Sequence, residues 1–143
     1  MDHVAIMKKS WGLIEKILNG QKKIESRWYS TRRKPWDNII KGETVYFKDS
    51  GELIKINAEV SRVVQFSDLT PKRVKKILDE YGKEDGLEKD KIPDFFEIFK
   101  DKKYCILIYI KNPKKIKPFG INKKGFGNMS AWITVNNIKD ILI

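Results

Sequence analysis

The sequence predicts a mixed α+β fold, a small and mainly antiparallel β-barrel with flanking helices. Three observations predict it. Several segments alternate apolar and polar residues as half-buried strands do, while others repeat at helical spacing. The elements follow in the order β-α-β-β-β-α-α-β-β, which suits strands and helices sharing one domain. One strand is long and slips phase midway, as strands that bend to close a barrel do.

Residues 4–7 are an apolar run and read as the first strand. Ser10 then stands as a helix N-cap, with Trp11, Ile14 and Leu18 on one face and Leu13 and Ile17 beside them. Gly20 stops that helix, since it tolerates positive φ. Residues 23–29 alternate, with Ile24, Ser26 and Trp28 on one side and Lys23, Glu25, Arg27 and Tyr29 on the other. Residues 30–42 form a basic loop punctuated by Pro35 and Gly42.

Residues 43–48 and 52–66 read as strands joined at Asp49-Ser50-Gly51. The second shifts phase between Val60 and Val63, which predicts a β-bulge near Ser61 and Arg62. Thr70 and Pro71 open a helix whose stripe is Val74, Ile77, Leu78 and Tyr81, ended by Gly82. Residues 83–91 are a charged connection, and Pro93 begins a short helix carrying Phe95, Phe96 and Phe99. Residues 104–110 are apolar on both faces, as in a central strand. Residues 111–130 hold six lysines, two prolines and three glycines and read as loop. Residues 131–135 return to strand, and Ile138, Ile141 and Leu142 suggest a terminal helical turn.

At 143 residues the chain is one domain's length, so residues 1–143 are expected to fold as a unit. No apolar run approaches the ~18 residues of a membrane span, and Lys8, Lys9 and Glu15 interrupt the N-terminal segment as no secretory signal would be. A soluble, cytoplasmic protein without membrane contact is expected. The single Cys105 excludes a disulfide framework, and with only His3 besides it neither a metal site nor a bound cofactor is expected. His3 stands beside a start that is expected to fray.

Charge points to a polyanion. The net charge is +11, and residues 101–143 hold nine bases against two acids. Eight lysines and no acid lie between 102 and 124. Nucleic acid is the natural partner, and 25 lysines against five arginines suit backbone contact better than bidentate base reading. The acidic stretch from 84 to 94 offers a competing reading, a dock for a basic protein.

One segment combines these types. In GQKKIESRW, Gly20 ends a helix, Lys22 leaves the turn, and Glu25 and Arg27 share a strand face. Either Glu25 and Arg27 merely pair, or Glu25 orients Arg27 and Lys22 toward a polar ligand. Around them, Tyr29 is placed to stack a base or to half-bury. Trp28 is assigned to the core and Trp11 to helix packing, and Trp36 either anchors its loop or offers a platform. Arg32, Arg33 and Lys34 form the densest positive run, and Lys123 and Lys124 precede a Gly125-Phe126-Gly127 turn where a backbone can approach a ligand.

Gly20, Lys22, Glu25 and Arg27 in this spacing resemble the Gly-x-Lys-x-x-Glu-x-Arg signature of ASCH (activating signal cointegrator homology) domains, of the PUA-like superfamily. The resemblance spans about residues 4–48. It implies a PUA-like barrel whose cleft is lined by the motif, and an RNA-binding module that takes RNA or a modified nucleotide. Lys22, Glu25, Arg27 and Tyr29 would line the cleft, and Arg32, Arg33, Lys34, Lys123 and Lys124 would contact the backbone. Some relatives resemble amidohydrolases that use a lysine, a threonine and a glutamate, and a ribonuclease activity has been attributed to another. A hydrolase acting on a modified nucleoside or on RNA, with Lys22 and Glu25 as catalytic candidates, is therefore the alternative. Lys22 matches the lysine; Glu25 occupies the threonine position and lacks the hydroxyl; the glutamate falls most nearly on Glu59.

Overall fold

The computed structural model describes residues 1–127 and 130–143. One sheet contains β1 (Asp2–Met7), β2 (Ile24–Tyr29), β3 (Thr44–Asp49), β4 (Ile54–Phe66), β5 (Tyr104–Phe119) and β6 (Trp132–Val135), in the spatial order β2-β5-β4-β3-β1-β6. Neighbours are antiparallel except β1 and β3. The helices α1 (Leu13–Leu18), α2 (Pro71–Tyr81) and α3 (Ile92–Phe99) pack against it.

Alternation along the strands sorts side chains onto two faces. Val45, Phe47, Ile56, Ile106 and Ile108 meet Leu13 and Ile17 of α1. Ile24, Trp28, Cys105 and Leu107 meet Val74, Ile77 and Leu78 of α2, with Phe95, Phe96 and Phe99 of α3 packed alongside. Thr70 caps α2 through its hydroxyl, which accepts from the Arg73 amide at 3.3 Å. The β4 register shifts between Val60 and Arg62, so the bulge lies where the phase slip predicts it.

Although β2 and β6 end the sheet order, Arg27 of β2 donates to the Ala131 carbonyl beside β6 at 3.2 Å and to the Ile6 carbonyl of β1 at 3.3 Å. The sheet therefore curls into a half-barrel whose seam is bridged by one guanidinium. Among the described residues no helix is long and apolar enough to cross a membrane.

Three local expectations are corrected. Ser10 does not cap α1: residues Lys9–Trp11 form a 3-10 turn, and Gly12 at φ +61° starts the helix instead. Residues 111–119 are not loop, because β4 pairs with them and carries β5 on to Phe119; of the expected loop, residues 128 and 129 lie outside the described residues. His3 does not fray. It is fully buried in β1, held between β3 and β6.

Candidate functional site

The Gly-x-Lys-x-x-Glu-x-Arg segment runs from the end of α1 into β2, along the seam. Gly20 has φ +83°, a left-handed conformation that lets the chain reverse, and the Lys22 amide then returns to the Lys16 carbonyl at 2.9 Å. The Lys22 side chain points inward and is 1% exposed. Its Nζ lies 2.6 Å from Asp85 Oδ1, 2.7 Å from the Asp85 carbonyl and 3.3 Å from Glu25 Oε1, so all three ammonium donors are engaged.

Glu25 is buried too, and its other oxygen lies 3.1 Å from Arg27 Nη2. Arg27 reaches on to Ile6 and Ala131 and lies over the Trp132 ring, 5.1 Å from the ring centroid. Asp85, Lys22, Glu25 and Arg27 thus alternate in sign and balance, as buried charges must. From the far end, Trp28 Nε1 donates to Ser26 Oγ at 3.1 Å and Ser26 Oγ donates to Asp85 Oδ2 at 2.5 Å.

The protonation balance follows. Burial alone would pull the Lys22 ammonium down, but the charges of Asp85 and Glu25 outweigh it and hold Lys22 above the ordinary lysine range. Two carboxylates flank this one ammonium, and Glu25 also has Arg27. Burial pushes the Asp85 carboxyl above the ordinary range, with Lys22 offsetting only part of the rise and the nearby Glu25 adding to it.

Two hollows open on this seam. One, of about 220 Å³, is lined by Glu25, Ser26, Arg27 and Trp28 of β2, with Trp11 and Phe99 among its walls. The second, of about 340 Å³, is lined by Arg33, Lys34, Phe126, Trp132 and Thr134. Tyr29 and Ala131 belong to both. Tyr29 also fixes the basic loop, because its hydroxyl donates to the Lys34 carbonyl at 2.9 Å and the Arg33 guanidinium lies 5.7 Å from its ring.

Of the sequence-predicted site residues, Glu25, Arg27, Tyr29, Arg33 and Lys34 gather at these hollows. Arg32 is exposed just outside, its guanidinium 5.9 Å from the Trp36 ring and 5.7 Å from that of Tyr104. Lys123 and Lys124 flank the Gly125–Phe126 edge of the second hollow without lining it. Lys22 is a correction: it stands behind Glu25 rather than in the hollow, because only there do Asp85 and Glu25 both reach it. Glu59 is not brought in; it lies on β4 beside Lys111, at 3.7 Å, and the acid that meets Lys22 besides Glu25 is Asp85. Trp28 is core, stacked on Phe99 at 4.9 Å, and Trp11 packs edge-on against Phe95 at 5.2 Å. Trp36 anchors its loop against Tyr104 at 5.1 Å.

Sequence reasoning missed Asp85 and the His3–Trp132 pair. Asp85 stands in a charged stretch that gives no sign of burial; its one local cue is the following Gly86, whose φ of +80° lets the loop turn in over the Lys22 stem. Trp132 Nε1 donates to His3 Nδ1 at 3.1 Å, and indole nitrogen can only donate. The imidazole is therefore the neutral tautomer, with Nε2–H donating to Glu43 Oε1 at 2.9 Å. His3 so fixes the indole on which Arg27 rests.

No protein-family model and no curated protein matches the chain. Solved structures do. An ASCH protein from Zymomonas mobilis, in a tyrosine-to-phenylalanine variant, superposes with a TM-score of 0.68 at 16% identity, covering 97% of this chain and 93% of that one. A second structure of ASCH from Zymomonas mobilis gives a TM-score of 0.66 at 17% identity over 94% and 87%. The N-terminal domain of Staphylothermus marinus McrB gives 0.52 at 14% identity over 83% and 76%. The chain has the ASCH-domain fold.

Proposed function

We propose that this ASCH-fold chain is an RNA-binding module that holds a nucleotide of the strand at the seam of its half-barrel. The observation that carries the reading is the union of the two hollows through Tyr29 and Ala131, one floored by Glu25 and Arg27, the other edged by Arg33 and Lys34. A carboxylate keeps lone pairs free beyond two hydrogen bonds, and Arg27 Nη1 keeps an N–H beyond its bond to Ala131. Acceptor beside donor suits the edge of a base, while Arg33 and Lys34 suit the adjoining phosphate. The charge of +11 draws in a polyanion.

The test is binding to a panel of structured and single-stranded RNAs across a salt series. Neutralising Arg32, Arg33 and Lys34 together weakens every RNA and flattens the log–log salt slope by about 2, at ~0.7 per phosphate contact. Arg27→Ala weakens the preferred RNA most. Absence of binding to the whole panel at low salt overturns the reading.

One observation favours a second reading, hydrolysis. The Ser26 hydroxyl lines the first hollow and donates to the buried Asp85 carboxylate, a hydroxyl paired with a base. In that reading Ser26 supplies the hydroxyl that Glu25 lacks, and Lys22 positions Asp85. Turnover of acetylated nucleosides or RNA that vanishes in Ser26→Ala supports it, and no turnover by the wild type excludes it.

A further inference from the structure

The outer half of β5 runs past α1, where Lys115, Ile116 and Pro118 line a hollow with Ile14 and Leu18, and it lines neither seam hollow. The first six residues of β5 pair with β2 on one edge, and residues 105–109 also with β4 on the other, but from residue 111 to 119 only β4 pairs with it among the described residues. Lys111, Lys114, Lys115 and Lys117 are all exposed on this stretch. Lys111 meets Glu59 at 3.7 Å, and no carboxylate stands at ion-pair distance from the other three among the described residues.

Register decides where the charges point. Lys111 and Lys114 oppose Glu59 and Asn57 and share their face, whereas Lys115 opposes Ile56 and shares the face of α1. Asn112, at φ +53°, marks the irregular stretch between the paired Lys111 and Lys114. The lysines therefore project on both sides of a free strand edge, over about 20 Å at ~3.3 Å per residue.

The kind of partner follows from what the edge withholds. Pro113 and Pro118 offer no N–H, which blunts this edge against pairing with a second chain. What remains is a run of exposed lysines on both faces of the edge, in a stretch of chain that has no acid between residues 102 and 139. Ammonium groups on flexible stems contact phosphates without reading bases. We infer that the outer half of β5 is a second, sequence-independent contact for the phosphodiester backbone of RNA. The inference rests on the seam being an RNA site, and it makes the ligand a strand several nucleotides long.

The experiment compares wild type with the Lys111→Ala/Lys114→Ala/Lys115→Ala/Lys117→Ala variant, by fluorescence anisotropy, on a trinucleotide and on a mixed-sequence single strand. With a strand of about 20 nucleotides, four lost contacts flatten the salt slope by about 3, so the roughly 50-fold of affinity they cost between 50 and 200 mM salt disappears. Trinucleotide binding stays unchanged, which also shows that the variant is folded. Lys114→Gln/Lys117→Gln, a milder change, flattens the slope by about 1.4. Equal slopes for wild type and variants overturn the inference and leave the seam reading standing. Absence of RNA binding by the wild type overturns both. Displacement of the RNA by polyglutamate at equal charge concentration assigns the edge to an acidic protein and overturns the inference as well.

Discussion

Replacing Asp85 by alanine tests the architecture of the seam most directly. The substitution removes the carboxylate 2.6 Å from a lysine side chain that is 1% exposed, and Ser26 loses its acceptor as well. Breaking a buried ion pair from one side costs about 3–5 kcal/mol, because the surviving charge stays buried. Lys22 keeps Glu25 at 3.3 Å and the residue-85 carbonyl, so the lower end, about 3 kcal/mol, is expected. For 143 residues unfolding together that lowers Tm by about 10 °C. Urea unfolding followed by tryptophan fluorescence measures it, with Trp28 reporting from inside the network.

The double-mutant cycle makes the test sharper. Lys22→Met alone leaves Asp85 and Glu25 facing each other, and the double variant with Asp85→Ala leaves only the balanced Glu25–Arg27 pair. The double variant is therefore more stable than the sum of the singles by at least about 2 kcal/mol. Alkali gives an independent check. Lys22 is held above its ordinary value of 10.5. Its contribution is complete below that pH and is lost as pH rises through the raised value, a decline that Lys22→Met removes. Additive effects within about 0.5 kcal/mol, or a cost under about 1 kcal/mol for Asp85→Ala, would refute the reasoning.

Other consequences can be measured alongside. Gly86→Ala forces a side chain into φ +80° with its Cβ 3.0 Å from that of Lys22, and should cost more than about 1 kcal/mol in urea unfolding. His3 is held below 6.5, by burial first, against the pull of Glu43. Its folded value lies under its unfolded one, so stability is complete above pH 6.5 and falls as pH drops below it; His3→Gln should flatten that part of the urea-midpoint profile. Arg27→Lys keeps the charge but loses the planar fork that reaches Ile6, Ala131 and Glu25 together. About a tenfold loss for the preferred RNA is expected from a titration, the worth of one charge-assisted hydrogen bond.

Periodicity and turn chemistry made most of the fold legible before any coordinates. The stripe of Val74, Ile77 and Leu78 with Thr70 before it could only be a capped helix, and the phase slip after Val60 marked a bulge that is present. The motif was equally local, since Gly20, Lys22, Glu25 and Arg27 lie within eight residues of chain. The continuation of β5 was illegible for a local reason: its lysines and prolines have the composition of a loop, and only pairing with β4 makes it a strand.

The sequence by itself determined that a lysine, a glutamate and an arginine stand at a helix-to-strand turn in a strongly basic chain, because spacing and charge are properties of the chain. Tertiary structure alone decided what each does. Asp85, 63 residues beyond Lys22, draws that ammonium out of the hollow, and Trp132, held by His3, sets the surface on which Arg27 lies. The partner of a buried charge is chosen by distance in space, and no pattern of neighbours along the chain encodes it.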